Sequence, residues 1–452
     1  MKGRKKQSAQ TRPRAPQDAH PEAQKLQLVE IAKPIYGGAF LARLEGKALF
    51  VPLTLPGEHA RVRITEDKRG YAAAEAEQIV TIAPQRIAPA CIHFGACGGC
   101  QYQHAGYETQ LAFKQAILRE TLERGGVHAP DDIAVLAGDP WHYRNRIRLA
   151  FDAAGNPGYR GRRSHAVIPV HECPIAAPLL LEAAQAFAVS ARQLAPGLRL
   201  TEIALFCDAA ETALLAGVFT DHHKKIRFDE LAQAVREKVP ALKGVELIEE
   251  SPSGQTPRTI AQWGAPSLAY RTAGFDYRVD HGAFFQVNRW LVDALVERVT
   301  ANRKGKLAWD LFAGVGLFAR ALASGFTHVV AVESAPSAAK ALEENLLGTS
   351  ATAVRAATLD FLNRGRRATH SDGSRPDLIV VDPPRTGLGA EITTLLAEVA
   401  APTLVYVSCD PATLARDLRA LIATGYQIES ITLADLFPQT FHLETVVELR
   451  RS

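Results

Sequence analysis

The sequence has no uninterrupted apolar run of membrane-spanning length, and its first residues lack the apolar core of a signal peptide. The expected location is therefore the cytoplasm, with no membrane partner. A strong charge of either sign is missing too: the net charge is +4 over 452 residues. Lys2, Arg4, Lys5, Lys6, Arg12 and Arg14 against Asp18 give +5 within residues 1–20, which leaves −1 for the remainder. Overall basicity thus does not identify a nucleic-acid binder, and residues 1–23 read as a disordered basic tail. Cysteine is scarce as well, six in all, which excludes a disulfide-built scaffold at this size. The bulk is ordinary: 47% hydrophobic and 22% charged residues, enough chain for two to four globular domains.

Residues 24–82 alternate short β-rich runs with turn signals at Gly37-Gly38, Glu45-Gly46, Pro56-Gly57 and Arg69-Gly70. Five strands in under sixty residues predict an OB-like β-barrel, a fold that often takes oligonucleotides. The phrase GGAFLARLEGKALFVPLTLPGE resembles the TRAM domain, an RNA-binding barrel attached to RNA-modifying enzymes.

Half of the cysteines fall within ten residues, as Cys91, Cys97 and Cys100 in CIHFGACGGCQ, and Cys173 follows in HECP. The glycines allow a tight backbone, so three thiolates can converge, with Cys173 as the fourth. Four thiolates suit tetrahedral zinc or a [4Fe–4S] cluster. Zinc ribbons pair their ligands as two short knuckles, so the spacing leans toward iron. A radical enzyme would need C-x3-C-x2-C, whereas the first gap here is five residues. Further on, Arg144, Arg146 and Arg148 alternate on a predicted strand beside aromatic residues, and we expect them to face RNA. Residues 83–283 read as a central domain holding the cysteines and this RNA-binding face.

Residues 284–452 alternate strands and helices. A strand ending at Asp310 leads to Gly314 and Gly316, a helix, and a second strand ending in Glu333. That spacing places an acid against a ribose hydroxyl in a nucleoside-binding βαβ unit. Seven strands with interleaved helices predict an α/β, Rossmann-like methyltransferase sheet of the doubly wound kind. Its fourth strand ends in Asp382-Pro383-Pro384-Arg385 and its fifth at Cys409; Glu444 opens the last. A methyl-donor pocket, a cysteine and a carboxylate are what methylation of uracil carbon-5 requires. A thiolate adds at carbon-6 to activate carbon-5, and a base then removes the carbon-5 proton.

The motifs DLFAGVGLF, VES, VDPPRTG, VSCDPATLARD and DLFPQTFHLE, preceded by FFQVN, resemble the RNA uracil-5-methyltransferase family. The cysteine segments are similar to its iron–sulfur subgroup, which modifies 23S ribosomal RNA. Together with the TRAM-like barrel, the resemblance covers residues 24–452. It implies Cys409 as nucleophile and Glu444 as proton acceptor. It also implies Gln286, Phe312, Glu333 and Asp382 as S-adenosylmethionine contacts, and Cys91, Cys97, Cys100 and Cys173 as ligands of a [4Fe–4S] cluster. The implied partner is RNA, 23S ribosomal RNA first and tRNA second, with a monomer as the default assembly. Three positions depart from the family pattern: Ala313, Leu317 and Asp410. Asp410 beside Cys409 is expected to oppose thiolate formation unless Arg385 or Arg416 offsets it. A cytosine-5 methyltransferase would share the cysteine logic but not the DPPR and FPQTFHLE segments. An amino-methyltransferase would need no cysteine, and a non-catalytic RNA-binding protein would need neither Cys409 nor Glu444.

Overall fold

A computed structural model describes residues 26–224, 226–250, 256–364 and 375–451; the basic tail at 1–23 lies outside them. Strands Gln27–Pro34, Ala39–Leu44, Lys47–Pro52, His59–Asp67 and Tyr71–Thr81 close into a barrel. Alternate residues point inward, as the period of two requires: Phe40 and Ala42, Leu49 and Val51, Ala60 and Val62 are all buried. Gly38 sits at φ +85, and a Cβ there would lie 2.7 Å from Gln101 Cγ. A side chain at that position would push the barrel away from the cysteine segment.

The central region holds a seven-stranded, mostly antiparallel sheet. Its order is Arg258–Gly264, Leu242–Glu249, Leu214–His223, Leu198–Cys207, Arg146–Phe151, Pro157–Arg160 and Val167–Pro169. Helices Pro178–Leu194 and Phe228–Lys238 pack on it around a core that includes Leu180, Phe187, Leu205, Val218 and Leu231.

The third sheet has eight strands, one more than expected. In order they are Ala351–Arg355, Phe326–Glu333, Gly305–Leu311, Leu378–Val381, Thr403–Ser408, Glu444–Arg451, Tyr426–Ala434 and Ala134–Leu136. The first five run parallel, and Glu444–Arg451 is antiparallel to both its neighbours. The eighth strand comes from the central segment and pairs with Thr432–Ala434.

Packing cuts across the boundary expected at residue 283. The hairpin Ser267–Thr272/Phe275–Asp280 contributes Tyr270, Tyr277 and Val279 to the same core as Phe285, Val329 and Leu342. Helix Tyr107–Arg124 likewise packs Ile117, Leu118 and Leu122 against Leu414 and Leu418. Both pieces precede residue 284, yet their apolar faces are buried in the methyltransferase sheet's core.

The arginine face also differs from expectation. The strand begins at Arg146, and Arg144 is turned inward to line a pocket among the cysteines. Arg146 stacks over Phe206, its guanidinium 4.4 Å from the ring centroid. Only Arg148 is exposed, over Phe219 and paired with Glu202. Period-two patterning identified the strand residues but could not reveal that both of its faces meet neighbours.

Candidate functional site

Four strand ends of the eight-stranded sheet meet at its carboxyl edge, where ligands bind in open α/β sheets. At the first, Phe312 takes a left-handed φ of +65 and turns the chain into the glycine loop; for a bulky residue this conformation costs about 1–2 kcal/mol. Gly316 at φ +90 precedes helix Leu317–Leu322, and a Cβ on it would meet Leu342 Cδ1 at 2.7 Å. Gly314 by contrast faces open space. Glu333 closes the loop from the next strand, accepting from Gly314 N at 2.9 Å and from Ser334 and Ala335 N at 2.7 Å each. Asp310 is fully buried. Its Oδ2 accepts from Ala319 N at 2.8 Å and its Oδ1 has no partner. Burial, then the charges of Asp382 and Glu333, push the Asp310 carboxyl up to about 8.

Cys409 follows strand Thr403–Ser408 and directly precedes the N-cap of helix Pro411–Ile422. Asp410 is that cap: its Oδ1 accepts from Ala412 N at 3.0 Å and Thr413 N at 2.9 Å. The Tyr36 hydroxyl, reaching over from the barrel, donates to its Oδ2 at 3.3 Å. Asp410 is thus committed to the helix terminus, where a negative charge is favourable. Opposition to the thiolate comes from elsewhere. Burial, then Glu444 and Asp382, push the Cys409 thiol up to about 12, and Arg385 pulls it back. Arg416 does not serve in this way, being tied to Asp417 at 2.8 Å and to Thr386 O at 2.8 Å.

Glu444 is buried and Asp382 lies beside it. Burial pushes Asp382 up to about 7, and burial followed by the Asp382 charge raises Glu444 well above the usual carboxylate range. His442 accepts at Nδ1 from Arg385 Nη2 at 3.2 Å. Burial, then the Arg385 charge, pushes it down to about 4, so the imidazole is neutral. Arg385 is the cation that acts on Cys409, Glu444 and Tyr36 alike. Replacing it with glutamine should slow covalent adduct formation about tenfold at fixed pH for each unit the thiol rises. Stopped-time gel assays of protein bound to RNA measure this directly.

Gln286 lies in the loop that leads to helix Val292–Thr300. Its backbone carbonyl accepts from Asn145 Nδ2 at 3.0 Å. Neighbouring Phe285 packs on Tyr270 and Tyr277, and the Tyr277 hydroxyl donates to Leu317 O at 3.0 Å. The segment is thereby joined to the helix that follows the glycines.

Cys91, Cys97, Cys100 and Cys173 are free thiols that line one small pocket, together with Arg144, Tyr159 and Gln103. Among the described residues no group of three or more His, Cys, Asp or Glu side chains is placed to hold a metal ion. The pocket wall carries a buried donor without a partner, Arg144 Nε, and the Tyr159 hydroxyl beside Cys173. Gly99 N donates to Cys97 Sγ at 3.4 Å. Such donors suit a negatively charged group held by thiolates.

Comparison with known proteins decides the family. The model of the tRNA (uracil-5-)-methyltransferase family matches residues 106–452, and that of the TRAM domain matches residues 25–76. The chain belongs to the RNA uracil-5-methyltransferase family. A 23S rRNA (uracil(1939)-C(5))-methyltransferase, RlmD, from Klebsiella pneumoniae is 33% identical, covering 92% of this chain and 93% of the relative. An uncharacterized RNA methyltransferase from Streptomyces avermitilis is 32% identical over 93% of this chain and 97% of its own. The crystal structure of the Pyrococcus abyssi tRNA (uracil-54, C5)-methyltransferase, in complex with S-adenosyl-L-homocysteine, superposes with a TM-score of 0.73. It is 23% identical, covering 93% of this chain and 100% of that one, and the likeness shows the fold.

In this methyltransferase the sheet edge brings together Cys409, Glu444, Asp382 and, through Asp310, Glu333. The four cysteines form a separate pocket. Sequence reading missed Tyr36, the barrel residue at Asp410. It also missed the buried pair of Lys114 and Asp435, 2.5 Å apart, and the bond from Lys114 Nζ to Phe437 O at 2.9 Å. No local signal marked them: Lys114 stands on a helix as an ordinary polar residue, and its partner is 321 positions away.

Proposed function

We propose that this enzyme methylates carbon-5 of a uridine in 23S ribosomal RNA, with Cys409 as nucleophile and Glu444 as proton acceptor. The observation that carries the reading is the convergence of thiol, buried carboxylate and Arg385 at one sheet edge. Cys409 Sγ adds to carbon-6 of the flipped-out base, which makes carbon-5 nucleophilic. S-adenosylmethionine, when bound, supplies the methyl group that carbon-5 takes up. Glu444 then receives the carbon-5 proton, the C6–S bond breaks, and the 5,6 double bond re-forms with Cys409 released.

The glycine loop fits the methyl donor. Gly314 leaves open space, Glu333 stands at the strand end, and buried Asp310 Oδ1 lacks a partner. Phe312, Glu333, Asp382 and Gln286 are the residues we assign to hold it. The 23S target is supported by the 33% identical relative over most of both chains; the archaeal tRNA enzyme makes tRNA the second reading. Mass-spectrometric mapping of 5-methyluridine in rRNA and tRNA from a deletion strain tests this. Loss of one 23S site is the expected result, and loss confined to tRNA would overturn it.

We assign Cys91, Cys97, Cys100 and Cys173 to a [4Fe–4S] cluster with a structural role. What supports the reading is that the four thiols line one pocket with the unpartnered Arg144 Nε in its wall. Anaerobic purification should yield a brown protein with about four irons per chain, and Cys100→Ser should lose most of that iron. A colourless, zinc-containing protein would overturn the assignment.

A further inference from the structure

The loop between the last two strands carries Glu444 at its far end, and its middle is held from outside the sheet. Thr445 is fixed on both sides, opposite Ser408 and Leu433. Glu444 is the last rung, paired only with Ala434. Its placement therefore depends on residues 435–443. Gln439 stands at the centre of that stretch with a left-handed φ of +68, unfavourable for a side chain with a Cβ. Three partner residues hold it. Its carbonyl accepts from Gln101 N at 2.9 Å and Tyr102 N at 3.0 Å. Its amide donates to Gln110 Oε1 at 3.0 Å, while Gln110 Nε2 donates back to Gln439 Oε1 at 2.9 Å. Gln110 Nε2 also donates to Ala105 O at 2.9 Å, and both glutamines are buried. The adjacent Pro438 carbonyl accepts from the Tyr143 hydroxyl at 3.0 Å. Gln101 and Tyr102 are the two residues that follow Cys100.

We propose that the segment from Cys100 to Gln110 positions the catalytic base, with Gln110 as the positioning residue that clamps Gln439 and so holds Glu444 over carbon-5. The clamp serves the second half of the reaction. Adduct formation and methyl transfer use Cys409, which sits on a different loop. Removal of the carbon-5 proton and breakage of the C6–S bond depend on where the carboxylate lies. This inference also gives the cysteine loop a part in turnover, since the loop fixes where Gln101 and Tyr102 stand. It rests on the assignment of Glu444 as the base.

The test separates the two steps in one sample. Full-length enzyme is mixed with a 23S rRNA transcript and methyl-labelled S-adenosylmethionine in a single turnover, and labelled protein–RNA adduct is compared with released methylated RNA. Gln110→Ala should transfer the methyl group within about twofold of wild type but release product about tenfold more slowly, so labelled adduct accumulates. Gln110→Glu keeps the acceptor for Gln439 N–H and should restore part of the release rate. Partial unfolding would lower both steps equally and leave their ratio unchanged, so an unchanged ratio in Gln110→Ala overturns the proposal. Glu444→Gln run in parallel is the reference. If that variant releases RNA freely, the base assignment itself has failed; if it traps RNA and Gln110→Ala does not, only the clamp has failed.

Discussion

Cys409→Ala should reduce methyl transfer to background and eliminate the covalent species that 5-fluorouridine RNA traps on the enzyme. The carbon-6 adduct is what makes carbon-5 reactive, and without a nucleophile the barrier to methylation is not lowered by any other group at the edge. Cys409→Ser should be nearly as inactive, because a hydroxyl is a far weaker nucleophile than a thiolate. The ligand-free site holds the thiol back: burial, then Glu444 and Asp382, push it up to about 12 against the pull of Arg385. The thiolate fraction therefore rises with pH throughout the neutral range, and adduct formation should accelerate from pH 7 to 9 in wild type. Denaturing gels of the 5-fluorouridine adduct measure both effects. Methylation by Cys409→Ala at a tenth of the wild-type rate would be incompatible with covalent catalysis.

Glu444→Gln should complete methyl transfer and then stall. The carbon-5 proton has no acceptor, so methylated RNA remains bonded to Cys409 and turnover falls by about 10²–10⁴-fold. Glutamine matches the shape and removes only the basicity, which keeps a packing effect out of the result. The wild-type pH profile follows from the same pair of carboxyls. Burial raises both Glu444 and Asp382, Asp382 to about 7, and the Asp382 charge raises Glu444 further. The base works only when ionised, so release should slow as pH falls. The adduct-to-product ratio should rise correspondingly with falling pH. Rapid release of methylated RNA by Glu444→Gln would assign the proton transfer to another group.

The cysteines, the glycine loop, DPPR and the strand-end Cys409 were legible because each is a local pattern: a residue type at a fixed offset from a strand end or a glycine. The barrel was legible for the same reason, its strands being short, alternating and separated by turn residues. The RNA-facing role expected for Arg144 failed because burial is not local. Arg144 lines the cysteine pocket, and Arg146 meets Phe206 from the next strand. Asp410 was read as an opponent of the thiolate from adjacency in sequence. In the folded chain it caps a helix, and the opposing charges arrive from Glu444 and Asp382 on other strands.

Sequence by itself determined the methyltransferase fold class and the family, and it nominated the residues proposed to carry the chemistry, since short-range spacing encodes backbone turns and strand ends. Tertiary structure alone decided which charges those residues feel and what holds them in place. Tyr36 reaches Asp410 across 374 positions, and Gln110 clamps Gln439 across 329. Contacts of that range depend on how the barrel, the cysteine segment and the sheet pack together, and no spacing within a motif carries that information.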